Sequence, residues 1–198
     1  MELLEMEIPD NQWVHSTQKQ TALMRHLVDE LVYLFRMEEE NAPLTIEKLN
    51  LYDLLTDTAD PFMAMAEFKG LEMHLEAEKN LPVNGDRESL QRLFSILCDN
   101  AVKYAISEGA ILIGGRTDGR HVILSFSNEV AEPLSKTQCE SLFQRFYRAD
   151  SSRSKTKHKG FGIGLAIAAA IMEKHEGTIR AVMENNNRLV ITCMFPRT

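Results

Sequence analysis

Asn100 and Lys103 stand one helical turn apart in the stretch 91–105, Gln-Arg-Leu-Phe-Ser-Ile-Leu-Cys-Asp-Asn-Ala-Val-Lys-Tyr-Ala. That spacing puts both on one face of a helix whose apolar face carries Leu93, Leu97 and Ala101. An Asn amide oxygen can hold Mg²⁺, which takes oxygen ligands and keeps several waters. A Lys one turn on can meet phosphate, and Tyr104 beside it can cover a base. This is nucleotide chemistry built on a helix, although the same residues also suit the polar rim of an ordinary amphipathic helix. A second segment, 160–167, reads Gly-Phe-Gly-Ile-Gly-Leu-Ala-Ile. Its alternating glycines lead into an apolar helical run at 165–172. Glycine lets the backbone approach a phosphate closely, and a helix start offers N–H groups and a positive dipole end. Other glycine-rich templates do not fit. There is no G-x-x-x-x-G-K-[ST], and Ile167 stands where the last glycine of G-x-G-x-x-G belongs.

The elements that position these motifs can be read from periodicity and turn residues. Residues 13–37 are predicted helical, with Met24, Leu27, Leu31 and Leu34 forming a coiled-coil-like seam. Residues 1–8 read as the tail of an earlier helix, broken at Pro9-Asp10-Asn11, so the two would form an antiparallel hairpin. Residues 38–43 read as a linker. Strands are expected at 44–49, 71–77, 110–116, 120–128, 178–183 and 189–195, with turns at Thr117-Asp118-Gly119 and at 184–187. A helix over 51–69 should end at Gly70 and be kinked or split by Pro61. Asn84-Gly85-Asp86 should start the helix of 91–105, and Gly177 should close the helix that follows the glycines. Helices alternating with hairpins imply an α+β fold, a two-layer sandwich with a mixed sheet covered on one face by helices.

Composition narrows the function classes. At 198 residues and 44% hydrophobic content, the chain can bury a core and suits one domain plus an appendage. A net charge of −7 argues against a nucleic-acid binder that works by bulk electrostatics. The charge is uneven. Arg145, Arg148, Arg153, Lys155, Lys157 and Lys159 face only Asp150 over 145–160, which suits a polyphosphate ligand. Cys98, Cys139 and Cys193 show no metal-type spacing and suggest a reduced environment. The longest apolar run is too short to span a bilayer.

Between the two motifs lies Leu142-Phe143-Gln144-Arg145-Phe146-Tyr147-Arg148. The order Asp-Asn-Ala-x-Lys-Tyr, Leu-Phe-x-Arg-Phe-Tyr-Arg, Gly-x-Gly-Ile-Gly-Leu-Ala-Ile resembles the N, F and G2 boxes of the ATP-binding catalytic domain of bacterial sensor histidine kinases. The resemblance runs from about residue 43 to the C-terminus. It implies residues 41–198 as the catalytic domain and 1–40 as the C-terminal part of a dimerisation hairpin. It further implies that Asn100 coordinates Mg²⁺ and that Lys103 faces the phosphates of ATP. Tyr104 would lie near the adenine or ribose. Arg148 would touch the terminal phosphate, and Arg145 in the same box would also bind the nucleotide. The backbone of Gly160, Gly162, Ile163, Gly164 and Leu165 would close over the phosphates. Phe143 and Phe146 would anchor the lid to the core.

The chain departs from the family pattern at three places. Ile96 stands where the family often has a second Asn. The Asp-x-Gly-x-Gly box reads Asn128-Glu129-Val130-Ala131-Glu132, so Asn128 replaces the Asp that accepts from the adenine amino group, and both glycines are gone. None of His15, His26, His74, His121, His158 and His175 lies in a His-Glu-x-x-Thr-Pro type of acceptor segment, so each is expected to be a surface or capping residue and the phosphoacceptor is expected upstream. The resemblance implies transfer of the ATP γ-phosphoryl to a His on that missing helix. It implies a response-regulator partner, a homodimer through the hairpin, and a cytoplasmic position with membrane contact only through missing N-terminal segments. Two alternatives stay open: a nucleotide-responsive scaffold with a weakened site, and an ATP-hydrolysing relative, which would need a base where Ile96 stands.

Overall fold

The computed structural model describes residues 12–39, 43–149, 161–185 and 187–198. Helix α1 (Gln12–Glu38) leads into strand β1 (Ile46–Asn50), helix α2 (Leu51–Phe68) and strands β2 (Glu72–Ala77) and β3 (Pro82–Asp86). Helix α3 (Arg87–Tyr104) follows, then the hairpin β4 (Ala110–Asp118) and β5 (His121–Glu129) and the short helix α4 (Lys136–Ser141). Helix α5 (Gly164–Lys174) and the hairpin β6 (Thr178–Glu184) and β7 (Arg188–Pro196) complete the chain. The expected helix tail at 1–8 lies outside the described residues.

The main sheet has the order β2-β4-β5-β7-β6. Only β2 and β4 run parallel, so the sheet is mixed as expected. Strand β7 shows why one face is covered: Leu189, Ile191, Cys193 and Phe195 alternate inward. The register aligns Ile113 with Phe126, Phe126 with Ile191 and Ile191 with Ala181. Phe94 of α3 packs on that row, its ring 6.3 Å from Phe126. The other face carries small and polar residues such as Ser125 and Thr192 and leaves Leu112 and Val182 exposed.

The structure departs from expectation in several elements. Helix α2 is continuous through Pro61. Pro61 and Asp57, whose carbonyl loses a donor, both lie on the exposed face, where water can substitute, while Leu54, Leu55, Ala59 and Ala66 hold the buried face. Asn84-Gly85-Asp86 ends strand β3 before α3 begins, because β3 pairs antiparallel with β1 in a second, two-stranded sheet. Asp86 is both the last residue of that strand and the cap of α3, accepting from the Ser89 N–H at 2.8 Å. Helix α4 was not expected. It is nucleated by a capping box between Ser135 and Gln138.

The helical segment also behaves in two ways. Leu34 and Met37 are buried against the domain core, with Leu27 and Leu31 packed beside them. Met24, Val28, Val32 and Phe35 stay exposed. Part of the coiled-coil-like seam is therefore spent on the chain's own body. Arg92 of α3 stacks over the Tyr33 ring at 3.8 Å, which fixes α1 against α3. No described helix is long and apolar enough to cross a membrane.

Candidate nucleotide site at the α3–α5 junction

Helix α3 presents its polar end because its apolar side is used up. Leu90, Leu93, Phe94, Leu97, Cys98, Ala101 and Val102 are buried. What remains on the last turns is Asp99, Asn100 and Lys103, all half-buried, and Tyr104, which is 44% exposed. The Ala105 N–H donates to the Ala101 carbonyl, and the Lys69 ammonium donates to the Val102 carbonyl at 3.3 Å. A cation at that end suits the helix dipole. Lys103 does not stand alone: its ammonium pairs with Asp99 at 2.5 Å, one turn back. The i, i+4 spacing of Asp99 and Lys103 along the helix is the sequence signal for this pair.

The glycine segment reaches the same place from the other side. Gly164 is the first residue of α5, and a side chain there would meet Ile96 Cγ2 at 3.5 Å. That contact places the start of α5 one turn from Asn100. Ile163 is buried and offers no side-chain cap, so the first N–H groups of α5 are not taken by one. Gly162 has φ +72° and its carbonyl accepts from the Phe146 N–H at 2.9 Å. A Cβ on Gly162 would lie 2.6 Å from the Tyr147 carbonyl oxygen, so only glycine fits. Leu165 is half-buried, and Gly160 lies outside the described residues.

Asn128 is 3% exposed on the helix-facing side of β5, between Ile111 and Leu189 in register. Its amide nitrogen donates to the Glu129 carbonyl at 3.3 Å, leaving the amide oxygen as acceptor. The two lost glycines are replaced by packing and backbone bonds: Val130 joins the core, its N–H donates to the Asn187 carbonyl at 2.8 Å, and the Glu129 carbonyl accepts from Ile106.

The arginine-bearing box divides. Phe143 packs against the core as expected, but Phe146 is 60% exposed with φ +61°, because its backbone is held to Gly162 instead of its ring being buried. Arg145 turns to α1, where it pairs with Glu38 and lies 5.7 Å from the Phe35 ring. Arg148 is exposed. The basic run at 150–160 lies outside the described residues. Burial pushes the Cys98 thiol up to about 12 and raises Cys139 and Cys193 as well, so none is a thiolate nucleophile. His15, His26, His74 and His121 are exposed, whereas His175 is buried.

Residues 85–198 match the family described as histidine kinase-, DNA gyrase B-, and HSP90-like ATPase. The chain belongs to that family. It is 31% identical over 186 residues to the sensor protein DltS of Streptococcus agalactiae serotype V, covering 94% of this chain and 46% of that one. The chain thus spans about half the length of the curated relatives it matches. The histidine kinase AdeS of Acinetobacter baumannii shares the fold with TM-score 0.76 at 23% identity, over 96% of this chain and 86% of that one. Histidine kinase ThkA, solved in complex with the response regulator TrrA, aligns with TM-score 0.75 at 19% identity, over 99% and 55%. The fold is that of histidine-kinase catalytic domains.

Proposed function

We propose that this chain is the ATP-binding catalytic part of a two-component sensor histidine kinase. Residues 41–198 form the catalytic domain and 1–40 the C-terminal part of its dimerisation hairpin. The observation that carries the reading is the junction itself: the start of α5 against Ile96, one turn from Asn100 on the helix that also bears Lys103. A helix N-terminus beside a Lys and an amide oxygen is a polyphosphate site.

In this reading Asn128 accepts from the adenine amino group, and Tyr104 lies against the base or ribose. Lys103 leaves Asp99 to meet phosphate. Arg148 reaches the terminal phosphate, and Arg145 joins it on release from Glu38. The backbone from Gly160 through Gly162, Ile163, Gly164 and Leu165 closes the phosphate end. For Mg²⁺, Asn100 offers one amide oxygen and Ile96 none, a set that fits an ion arriving on the nucleotide with waters and phosphate oxygens. Bound there, the ion would neutralise charge between the β- and γ-phosphates.

The reaction breaks the bond from the γ-phosphorus to the ADP oxygen and forms one to an imidazole nitrogen. The accepting His would sit on a helix outside this sequence. Ile96 argues against the hydrolytic alternative, since an aliphatic side chain cannot activate water. A response regulator is the partner in this reading, in keeping with ThkA, which is solved in complex with the response regulator TrrA. The full-length protein would dimerise through the hairpin and meet a membrane only through preceding segments, leaving this part in the cytoplasm. It would not bind nucleic acid.

The test is transfer in trans. The chain is loaded with γ-labelled ATP and mixed with a helical hairpin carrying an intact acceptor His. The reading expects label on that hairpin and none on this chain. Steady phosphate release with no labelled hairpin would favour the hydrolase instead.

A further inference from the structure

His175 joins the two helices of the nucleotide site at their opposite ends. It caps the C-terminus of α5 and is 6% exposed. Its Nδ1 lies 2.7 Å from the Ile171 carbonyl oxygen, and its Nε2 lies 3.0 Å from the Asp86 N–H. A carbonyl can only accept and an amide N–H can only donate, so the ring must be neutral and protonated on Nδ1. Asp86 caps α3 through the Ser89 N–H at 2.8 Å, and its other oxygen accepts from the Thr45 N–H at 2.9 Å. One imidazole therefore ties the start of α3, the end of α5 and the entry of the chain from α1.

Gly85 leaves the space beside the ring that a side chain would fill. A Cβ on Gly85 would lie 3.1 Å from His175 Cδ2 and 2.6 Å from Leu90 Cδ1. Protonating Nε2 sets a second donor against the Asp86 N–H. The Asp86 carboxylate belongs to the residue whose N–H meets the ring, and burial, which would raise it, is outweighed by hydrogen bonds from Ser89 and Thr45. The other titratable groups of the packed elements are engaged elsewhere. Arg87 pairs with Glu47 of β1, Lys174 donates to the Glu39 carbonyl, and Tyr33 of α1 bonds Ser89 under Arg92, near Glu88. Glu173 and Glu176 on the α5 side are exposed.

We infer that His175 is a positioning residue for the nucleotide site, acting only as the neutral imidazole, so that acid loosens the registration of α3 against α5. This rests on the reading that those helices carry the nucleotide motifs. From Asp86 to Asn100 is about 20 Å along α3, and α5 is about 16 Å long. Both are short rods, so a shift at the His175 end is carried to Asn100 and Gly164.

The test compares wild type with His175→Gln, whose amide can accept from Asp86 and donate to Ile171 but does not titrate. ATP affinity is measured by calorimetry at about pH 8 and about pH 5.5, which spans the ordinary histidine range. The variant corrects for protonation of ATP itself. Wild type is expected to lose at least about threefold more affinity than the variant on acidification. Equal losses would overturn the positioning role and leave the nucleotide reading intact. No ATP binding by wild type at pH 8 would overturn the nucleotide reading, and the positioning role with it. Should the variant fail to fold, ¹⁵N spectra of the wild-type imidazole decide: a proton on Nε2 at pH 8 overturns the proposal. Faster exchange of the Asp86 and Ser89 amides as the ring charges, beyond the intrinsic pH trend, supports it.

Discussion

The Phe146 N–H donates to the Gly162 carbonyl at 2.9 Å, and both residues hold positive φ. This pair stitches the arginine-bearing box to the glycine segment. Gly162→Ala brings a Cβ to 2.6 Å from the Tyr147 oxygen. It should weaken ATP binding at least about tenfold, since strain of this kind costs of order 1–3 kcal/mol. Gly119→Ala is the control. It also has positive φ but open space around it, so it should cost about 1 kcal/mol of stability with no change in nucleotide affinity. Calorimetry and urea denaturation on both variants separate the two effects.

The Lys103–Asp99 pair is half-exposed on both sides, so it should contribute under about 0.5 kcal/mol to stability. Its effect belongs to the ligand. Lys103→Ala should reduce ATP affinity about tenfold, in line with a lost charge-assisted bond. Asp99→Asn should raise affinity slightly by releasing the Lys. Loss of affinity in Asp99→Asn equal to that in Lys103→Ala would mean that Asp99 itself meets the ligand or metal.

Asp86 sets an acid limit on stability. Its folded-state value lies below the ordinary carboxylate range, because hydrogen bonds from Ser89 and Thr45 outweigh burial. A lowered value means that its contribution is fully present above about pH 4 and is lost as pH falls through the folded value. Asp86→Asn keeps a capping oxygen and should flatten that part of the pH profile. Asp86→Ala should cost about 1–2 kcal/mol at neutral pH as a lost cap. Urea midpoints at pH 7 and below pH 4 report both.

Arg145 holds α1 through Glu38 and Phe35. Arg145→Ala should speed amide exchange in the last turn of α1 and lower stability by no more than about 1 kcal/mol. Under the proposed function it should also weaken ATP binding, whereas Glu38→Gln should loosen α1 and strengthen it. Identical effects of the two variants on ATP would place Arg145 outside the nucleotide site.

Much of this fold is legible where the signal is local. Alternation fixes β4, β5, β6 and β7, and the apolar face of α3 fixes which side bears Asn100 and Lys103. Strand β3 escapes because Asn84-Gly85-Asp86 reads as the start of a helix and Pro82 disfavours a strand. It exists because β1 supplies its partner across the chain. Helix α4 carried a readable signal, Ser135 and Gln138 at capping-box spacing, that periodicity over so few residues does not reveal. The site residues on α3 and α5 follow from motif order, but their partners do not. Arg145 is drawn to a helix 107 positions away, and His175 acquires its role from Asp86, 89 positions away. Such pairings are decided by tertiary packing, which spacing along the chain does not encode.

The most direct measurement is calorimetric titration of ATP into this chain, with and without Mg²⁺, beside Asn100→Ala. The account predicts Mg²⁺-dependent binding of the order of 10 μM, about 7 kcal/mol, lost in the variant while its fold is kept. No heat at millimolar nucleotide, or binding untouched by Asn100→Ala, would contradict a nucleotide site at the α3–α5 junction.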